Sequence, residues 1–176
     1  MSDLAPDLEQ DELEQRLRLS GGILSWEIED LLQAFPQRAP FLLLDRVLSL
    51  IPGNHAVAIK RVTGHEGGFA SHRHGFVFPS TFAVEALGQL AQLLASGLTL
   101  PSERKPADPW PRVVAVDDLV VHQELLAPGS LHLSASRFAG GPPTEDPRHR
   151  VFVGEVTLAS GPYLQARLTL DPTPAE

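Results

Sequence analysis

The sequence predicts an α+β domain in which one long apolar helix is wrapped by an antiparallel sheet. Three observations carry this reading. Ser80 to Leu98 is apolar around most of its circumference, through Phe82, Ala83, Val84, Ala86, Leu87, Leu90, Ala91, Leu93, Leu94 and Ala95. A helix of that kind is buried in a core rather than laid on a surface. The stretches on either side alternate in the β manner and are separated by Pro- and Gly-rich breaks. Four of those stretches follow the helix without another helix between them, which is not the βαβ alternation of a parallel nucleotide-binding fold.

In chain order, residues 1–22 read as a polar extension, 23–171 as a single domain and 172–176 as a tail. Asp7 to Leu19 has Leu8, Leu13 and Leu17 at roughly helical spacing, but its charge makes a frayed tail an equal expectation. Ser25 is the expected N-cap of a short helix that runs to about Phe35, with Glu27, Glu29 and Asp30 near its positive dipole end. Pro36 stops it. Phe41 to Leu50 and His55 to Val62 read as a hairpin around Pro52-Gly53-Asn54. Gly64 to Phe78 has no sustained period and reads as a loop. Ser80 or Thr81 is the expected cap of the long helix. Its polar residues Glu85, Gln89, Gln92 and Ser96 recur at i, i+4, i+7 and i+11, forming one narrow stripe. Pro101 to Pro111 is a polar connection. Val113–Val121, Leu131–Phe138, Val151–Ala159 and Tyr163–Leu170 complete the strands.

Composition narrows the function classes. A chain of 176 residues is about one domain's worth. The absence of cysteine rules out disulfides and thiolate metal sites. The N-terminal stretch is acidic without an apolar core, unlike a secretory signal, and no apolar run is long enough for a membrane span. A formal net charge of -8 disfavours a general nucleic-acid binder. The expected location is cytoplasmic.

No phosphate-cradling glycine loop and no GxSxG elbow is present. His65, His72 and His74 invite a metal reading, but two histidines at i, i+2 in a loop are more often solvated, and no metal is expected. His72 and Glu85 are the more informative pair. A carboxylate on an otherwise apolar helix tends to hold its proton, because burial disfavours the charged form. A histidine near its ordinary pKa of about 6.5 accepts one. Together they supply an acid and a base. The helix N-terminus at Ser80-Thr81 offers amides that polarise a carbonyl. On residue type alone, a solvated loop histidine is the favoured reading of His72, and Glu85 heading a polar stripe toward water or a subunit interface stays open beside the acid role.

Local strings add to this. Pro36-Gln37-Arg38-Ala39-Pro40-Phe41-Leu42-Leu43-Leu44-Asp45-Arg46-Val47 resembles PHRYPFLLVDRV, the opening of the β-hydroxyacyl-acyl-carrier-protein dehydratases (FabA/FabZ-like). Val57 to Thr63 looks like their second strand. Phe69-Ala70-Ser71-His72 resembles their F-x-G-H, whose His is catalytic. Phe76-Val77-Phe78-Pro79-Ser80 is similar to P-V-M-P-G, and Glu85-Ala86-Leu87-Gly88-Gln89 to E-A-L-A-Q, whose Glu is the second catalytic residue. Val116-Asp117-Asp118 and Pro128-Gly129-Ser130 are similar to the late strands and their turn. The likeness spans roughly residues 25 to 170.

The resemblance implies a hotdog fold, a homodimer or a multiple of it with sheets joined edge to edge, and an active site at the dimer interface beside an acyl tunnel. It implies catalytic His72 and Glu85, substrate-binding Phe76, Phe78, Ser80, Thr81 and Gln89, and no cofactor. The substrate would be a 3-hydroxyacyl group on acyl carrier protein or coenzyme A. Because acyl carrier proteins are acidic, docking calls for a basic patch, with Arg38, Arg73, Arg104 and Lys105 as candidates. The family's H-F-P-G-x-P reads His72-Arg73-His74-Gly75-Phe76 here, one residue shorter and without either proline. Aligned from the helix side, Ser71 takes the base position. A non-catalytic acyl-binding protein and a thioesterase using Glu85 to activate water are the alternative readings.

Overall fold

The computed structural model describes residues 24–63, 71–72, 75–105, 108–126, 128–139, 146 and 148–172, with only the backbone for 71, 72, 75 and 76. The elements are β1 (Leu24–Trp26), α1 (Ile28–Ala34), β2 (Arg46–Ile51), β3 (His55–Val62), β4 (Ser71–His72), β5 (Gly75–Phe76), α2 (Ser80–Ser96), a 3₁₀ turn (Pro101–Glu103), β6 (Arg112–Val121), β7 (Gly129–Arg137), β8 (Arg150–Leu158) and β9 (Gly161–Asp171). Seven strands form one sheet in the order β1-β2-β3-β7-β8-β9-β6, and every pairing is antiparallel. The helix α2 lies against that sheet and meets β3, β6, β7, β8 and β9. This is the α+β hotdog arrangement that the sequence predicts.

Strand alternation explains the packing. In β3 the buried residues Ala56, Ala58, Lys60 and Val62 face α2, while His55, Val57, Ile59 and Arg61 face outward. Leu131, Leu133 and Ala135 of β7, Phe152 and Val156 of β8, and Leu164, Leu168 and Leu170 of β9 continue the inner face. Ala58 pairs with Leu133, and Leu133 with Val156, so apolar rows run straight across the strands. Lys60 on the inner face reaches the carboxylate of Asp45 at 3.5 Å. On α2, Ala83, Ala86, Leu87, Leu90, Ala91, Leu93 and Leu94 are buried against these rows.

Helix and sheet approach each other closely at Gly154. A Cβ placed there would lie 2.6 Å from Leu87 Cδ2 and 2.8 Å from its Cγ. Leu87 is fully buried, so any shift of its side chain presses on the core around it. Gly154→Ala is therefore expected to lower stability by about 1–3 kcal/mol, the usual range for overpacking. Urea unfolding checks it. Because the clash is with one side chain, the Leu87→Ala/Gly154→Ala double variant should lose less than the sum of the singles.

Three local expectations are corrected. Ser25 does not cap a helix; it sits in β1, where Leu24 and Trp26 are buried and align with Leu50 and Val47 of β2. The helix begins after Glu27, whose N–H donates to Asp30 at 2.9 Å. The strand expected from Phe41 starts only at Arg46, because side-chain bonds described below take the main chain of Phe41 and Leu43 out of the sheet. Neither Ser80 nor Thr81 caps α2; Pro79 is the N-cap, and Ser80 is the first helical residue. At the other end, Gly97 closes the helix in the left-handed region at φ 72°, as an αL cap requires. The extension before residue 24 and the short tail lie mostly outside the described residues.

Candidate active site

The polar stripe of α2 is a set of anchors for irregular backbone. Gln89 is fully buried. Its Oε1 accepts the Leu43 N–H at 2.9 Å, and its Nε2 donates to the Phe41 carbonyl at 2.7 Å. The same Nε2 donates to Glu85 Oε1 at 3.1 Å. One turn on, Gln92 donates to the Pro111 carbonyl at 2.7 Å. Buried amides left unpaired are costly, and these bonds satisfy chain segments that no strand pairs. Gln89 thus meets backbone and Glu85, a role that its place in the sequence stripe does not reveal.

Glu85 is exposed in the single chain, which corrects the expectation that it is buried. The helix is apolar on the sides that meet the sheet, and Glu85 stands on the side turned away from it. Gln89 fixes one carboxylate oxygen and leaves Oε2 without a bond to described groups. Phe41, joined to the same Gln89, is a large apolar residue with 67% of its surface exposed.

The base candidate sits in a small hairpin. The backbone of His72 in β4 pairs with Gly75 of β5, and Ser71 with Phe76. The hairpin stands four residues ahead of α2. The side chains of Ser71, His72 and Phe76 lie outside the described residues, as do His65, Arg73 and His74. Among the described residues no cluster of His, Cys, Asp or Glu is arranged to hold a metal.

The segment joining the hairpin to α2 is held on both sides of Phe78. Its N–H donates to the Leu125 carbonyl at 2.9 Å, and its carbonyl accepts the Tyr163 hydroxyl at 3.2 Å. Burial, reinforced by the nearby Glu124 carboxylate, pushes the Tyr163 phenol up to about 12, so it stays a donor at neutral pH. The Phe78 ring is buried and lies 6.2 Å from Phe82. Phe78 therefore anchors the helix entry from within the core. Ser80 is half-buried and Thr81 exposed in the first turn, where backbone amides lack intrahelical partners.

Of the expected basic residues, Arg38 and Arg104 bracket one aromatic pair. Arg38 donates to the Phe35 carbonyl at 2.6 Å, Phe35 meets Trp110 edge-on at 4.7 Å, and the Arg104 guanidinium lies 5.2 Å over the Trp110 ring. Nothing local in the sequence links positions 35 and 110, and this cluster was missed there.

Comparison with known proteins matches residues 35–135 to the FabA-like domain. The chain belongs to the FabA-like family. A 3-hydroxyacyl-[acyl-carrier-protein] dehydratase FabZ from Symbiobacterium thermophilum is 31% identical over 140 residues, which is 79% of this chain and 90% of that one. The FabZ of Zymomonas mobilis is 46% identical over 70 residues, covering 39% of this chain and 44% of its own length. Among solved structures, a dehydratase heterocomplex from Xenorhabdus doucetiae superposes with a TM-score of 0.62 at 20% identity, covering 82% of this chain and 90% of that one. A thioesterase from Haemophilus influenzae gives 0.55 at 15% identity, with 82% and 89% covered. At such identities the structural likeness speaks for the hotdog fold alone. The matched stretch contains His72, Glu85 and Gln89. No helix among the described residues is long and apolar enough to cross a membrane.

Proposed function

We propose that this chain is a dehydratase that removes water from a 3-hydroxyacyl thioester to give the trans-2-enoyl thioester, in fatty-acid or related acyl-chain synthesis in the cytoplasm. The observation that carries the reading is Glu85. It is the carboxylate of the family's E-A-L-A-Q-like string, and Gln89 fixes one of its oxygens, leaving the other without a bond to described groups. His72 takes the proton from C2. The electron pair left behind forms the C2–C3 double bond as the C3 hydroxyl departs. Glu85 protonates that hydroxyl, so it leaves as water. The amides of Ser80 and Thr81 stabilise the enolate oxygen on the way. A proton passed from His72 to Glu85 resets the pair. In that scheme Phe76 and Phe78 belong to the acyl-binding walls, and no cofactor is needed.

The substrate is carried on acyl carrier protein or coenzyme A, and the working unit is a homodimer or a multiple of it. The protein's overall acidity means that an acidic carrier must dock on a local basic surface, for which Arg38, bonded to the Phe35 carbonyl, and Arg104, over the Trp110 ring, are the candidates. A second reading is a thioesterase, the name carried by the Haemophilus influenzae neighbour of the same fold: Glu85 would then activate water against the carbonyl. One incubation separates them. With 3-hydroxyacyl and 2-enoyl thioesters, a dehydratase interconverts the two and releases no thiol. A thioesterase releases free thiol. A protein that binds both and changes neither is an acyl-binding protein.

A further inference from the structure

We propose that the cavity at the C-terminal end of α2 is an anion site, taking a terminal carboxylate or phosphate carried on an apolar body. The cavity holds about 340 Å³ and is bounded by the end of α2, the connection that follows it, the start of β8 and the residue after β9. Two guanidiniums, Arg104 and Arg150, line it together with one carboxylate, Asp108. Among the described residues neither arginine forms an ion pair. Asp108 is already engaged, accepting the Lys105 N–H at 2.8 Å. The cavity therefore carries a surplus of positive charge.

Both arginines have structural work, and neither is used up by it. Arg150 donates through Nη1 to the Ala95 carbonyl at 2.9 Å, capping the helix and leaving its other N–H groups unassigned. Arg104 lies over the Trp110 ring at 5.2 Å, a contact that uses no hydrogen bond, and its side-chain N–H groups donate to no described residue. Its Nε is buried without a partner, so its charge is poorly hydrated and favours a counter-ion. A guanidinium with free edge donors is the usual partner of carboxylate and phosphate oxygens. Apart from Ser96, whose hydroxyl donates to the Leu93 carbonyl, the remaining walls, among them Leu98, Pro109, Trp110 and Pro172, are apolar. They fit the body that carries the anion. The site is distinct from Glu85: the ten residues from Glu85 to Ala95 span about 15 Å of helix.

The chain has two tryptophans, and only Trp110 lines this cavity, so its indole N–H resonance reports occupancy while Trp26 serves as the internal control. The nitrogen-15-labelled full chain is titrated with hexanoate, with inorganic phosphate and with 1-hexanol. Hexanoate or phosphate should shift Trp110 and leave Trp26 in place, and whichever binds tighter identifies the source of the oxyanion. Arg104→Gln should weaken that binding by at least about tenfold, because it removes a charge-assisted donor. Asp108→Asn should tighten it, an effect that a folding defect cannot mimic. Glu85→Gln should leave it unchanged, which separates this site from the proposed reaction. A shift with 1-hexanol as large as with hexanoate, no shift with either anion at millimolar concentration, or equal binding by the Arg104 and Asp108 variants overturns the proposal.

Discussion

Glu85→Gln and His72→Ala should each lower the rate of dehydration by about a hundredfold or more, and the double variant should fall little further. The structure makes the first substitution unusually clean. Gln89 Nε2 donates to Glu85 Oε1, and a glutamine at 85 presents the same carbonyl oxygen to that donor. Position, side-chain length and the anchoring of Phe41 and Leu43 by Gln89 are all retained. What is lost is the capacity to transfer a proton at the other oxygen. Proton-transfer groups contribute about 10² to 10⁴ in rate. Groups that act on one substrate as a unit lose nearly as much singly as together. Steady-state rates on a 3-hydroxyacyl thioester, with substrate affinity measured separately, check this. Affinity should survive in all three variants. If His72→Ala keeps full activity while Glu85→Gln does not, the base is another residue of the hairpin region, with Ser71 and His74 next in line.

The strand and helix pattern was readable because it is written in local periodicity. The long helix, the hairpin around Gly53 and the four late strands come within a few residues of their observed limits, since alternation and apolar runs need only neighbours to be seen. The misplacements have non-local causes. The strand expected from Phe41 is interrupted by Gln89, a partner 46 positions away from Leu43. Ser25 had the composition of a cap, but the burial of Leu24 and Trp26 beside β2 outweighs one capping bond. Glu85 illustrates the limit best. Its helix is apolar nearly all round, and from that pattern alone a carboxylate in it reads as buried. Only the position of the sheet shows which side of the helix stays open, and Glu85 is on it. The Phe35–Trp110–Arg104 cluster joins segments with no common period and left no trace in the sequence.

The open side of the helix leads to the second large expected effect, on assembly. Val114→Lys/Val116→Lys should convert the proposed dimer to a monomer and abolish the proposed activity without unfolding the chain. The long strand β6 is an edge of the sheet, bonded to β9 on one side only. A ten-residue edge rich in valine is a template for pairing unless something covers it. Val114 is 47% exposed and Val116 40%, and both point away from the core. Their neighbours Val113 and Ala115 are part-buried, and Val113 Cγ2 stands 3.4 Å from where a Gly88 Cβ would be. The edge is therefore contiguous with the open side of α2, and Gln92 on that side is tied to Pro111 just ahead of β6. A twofold pairing of β6 with its copy would cover strand edge and helix side together, bringing a second chain toward Glu85. Two lysines per chain would set four like charges against one another across such a pair, while remaining harmless on a solvated monomer surface. Sedimentation at micromolar concentration reads the assembly, circular dichroism reads the fold, and the thioester assay reads the activity. A variant that stays dimeric puts the interface elsewhere. A folded monomer with full activity removes the partner subunit from the chemistry, and His72 and Glu85 of one chain must then suffice.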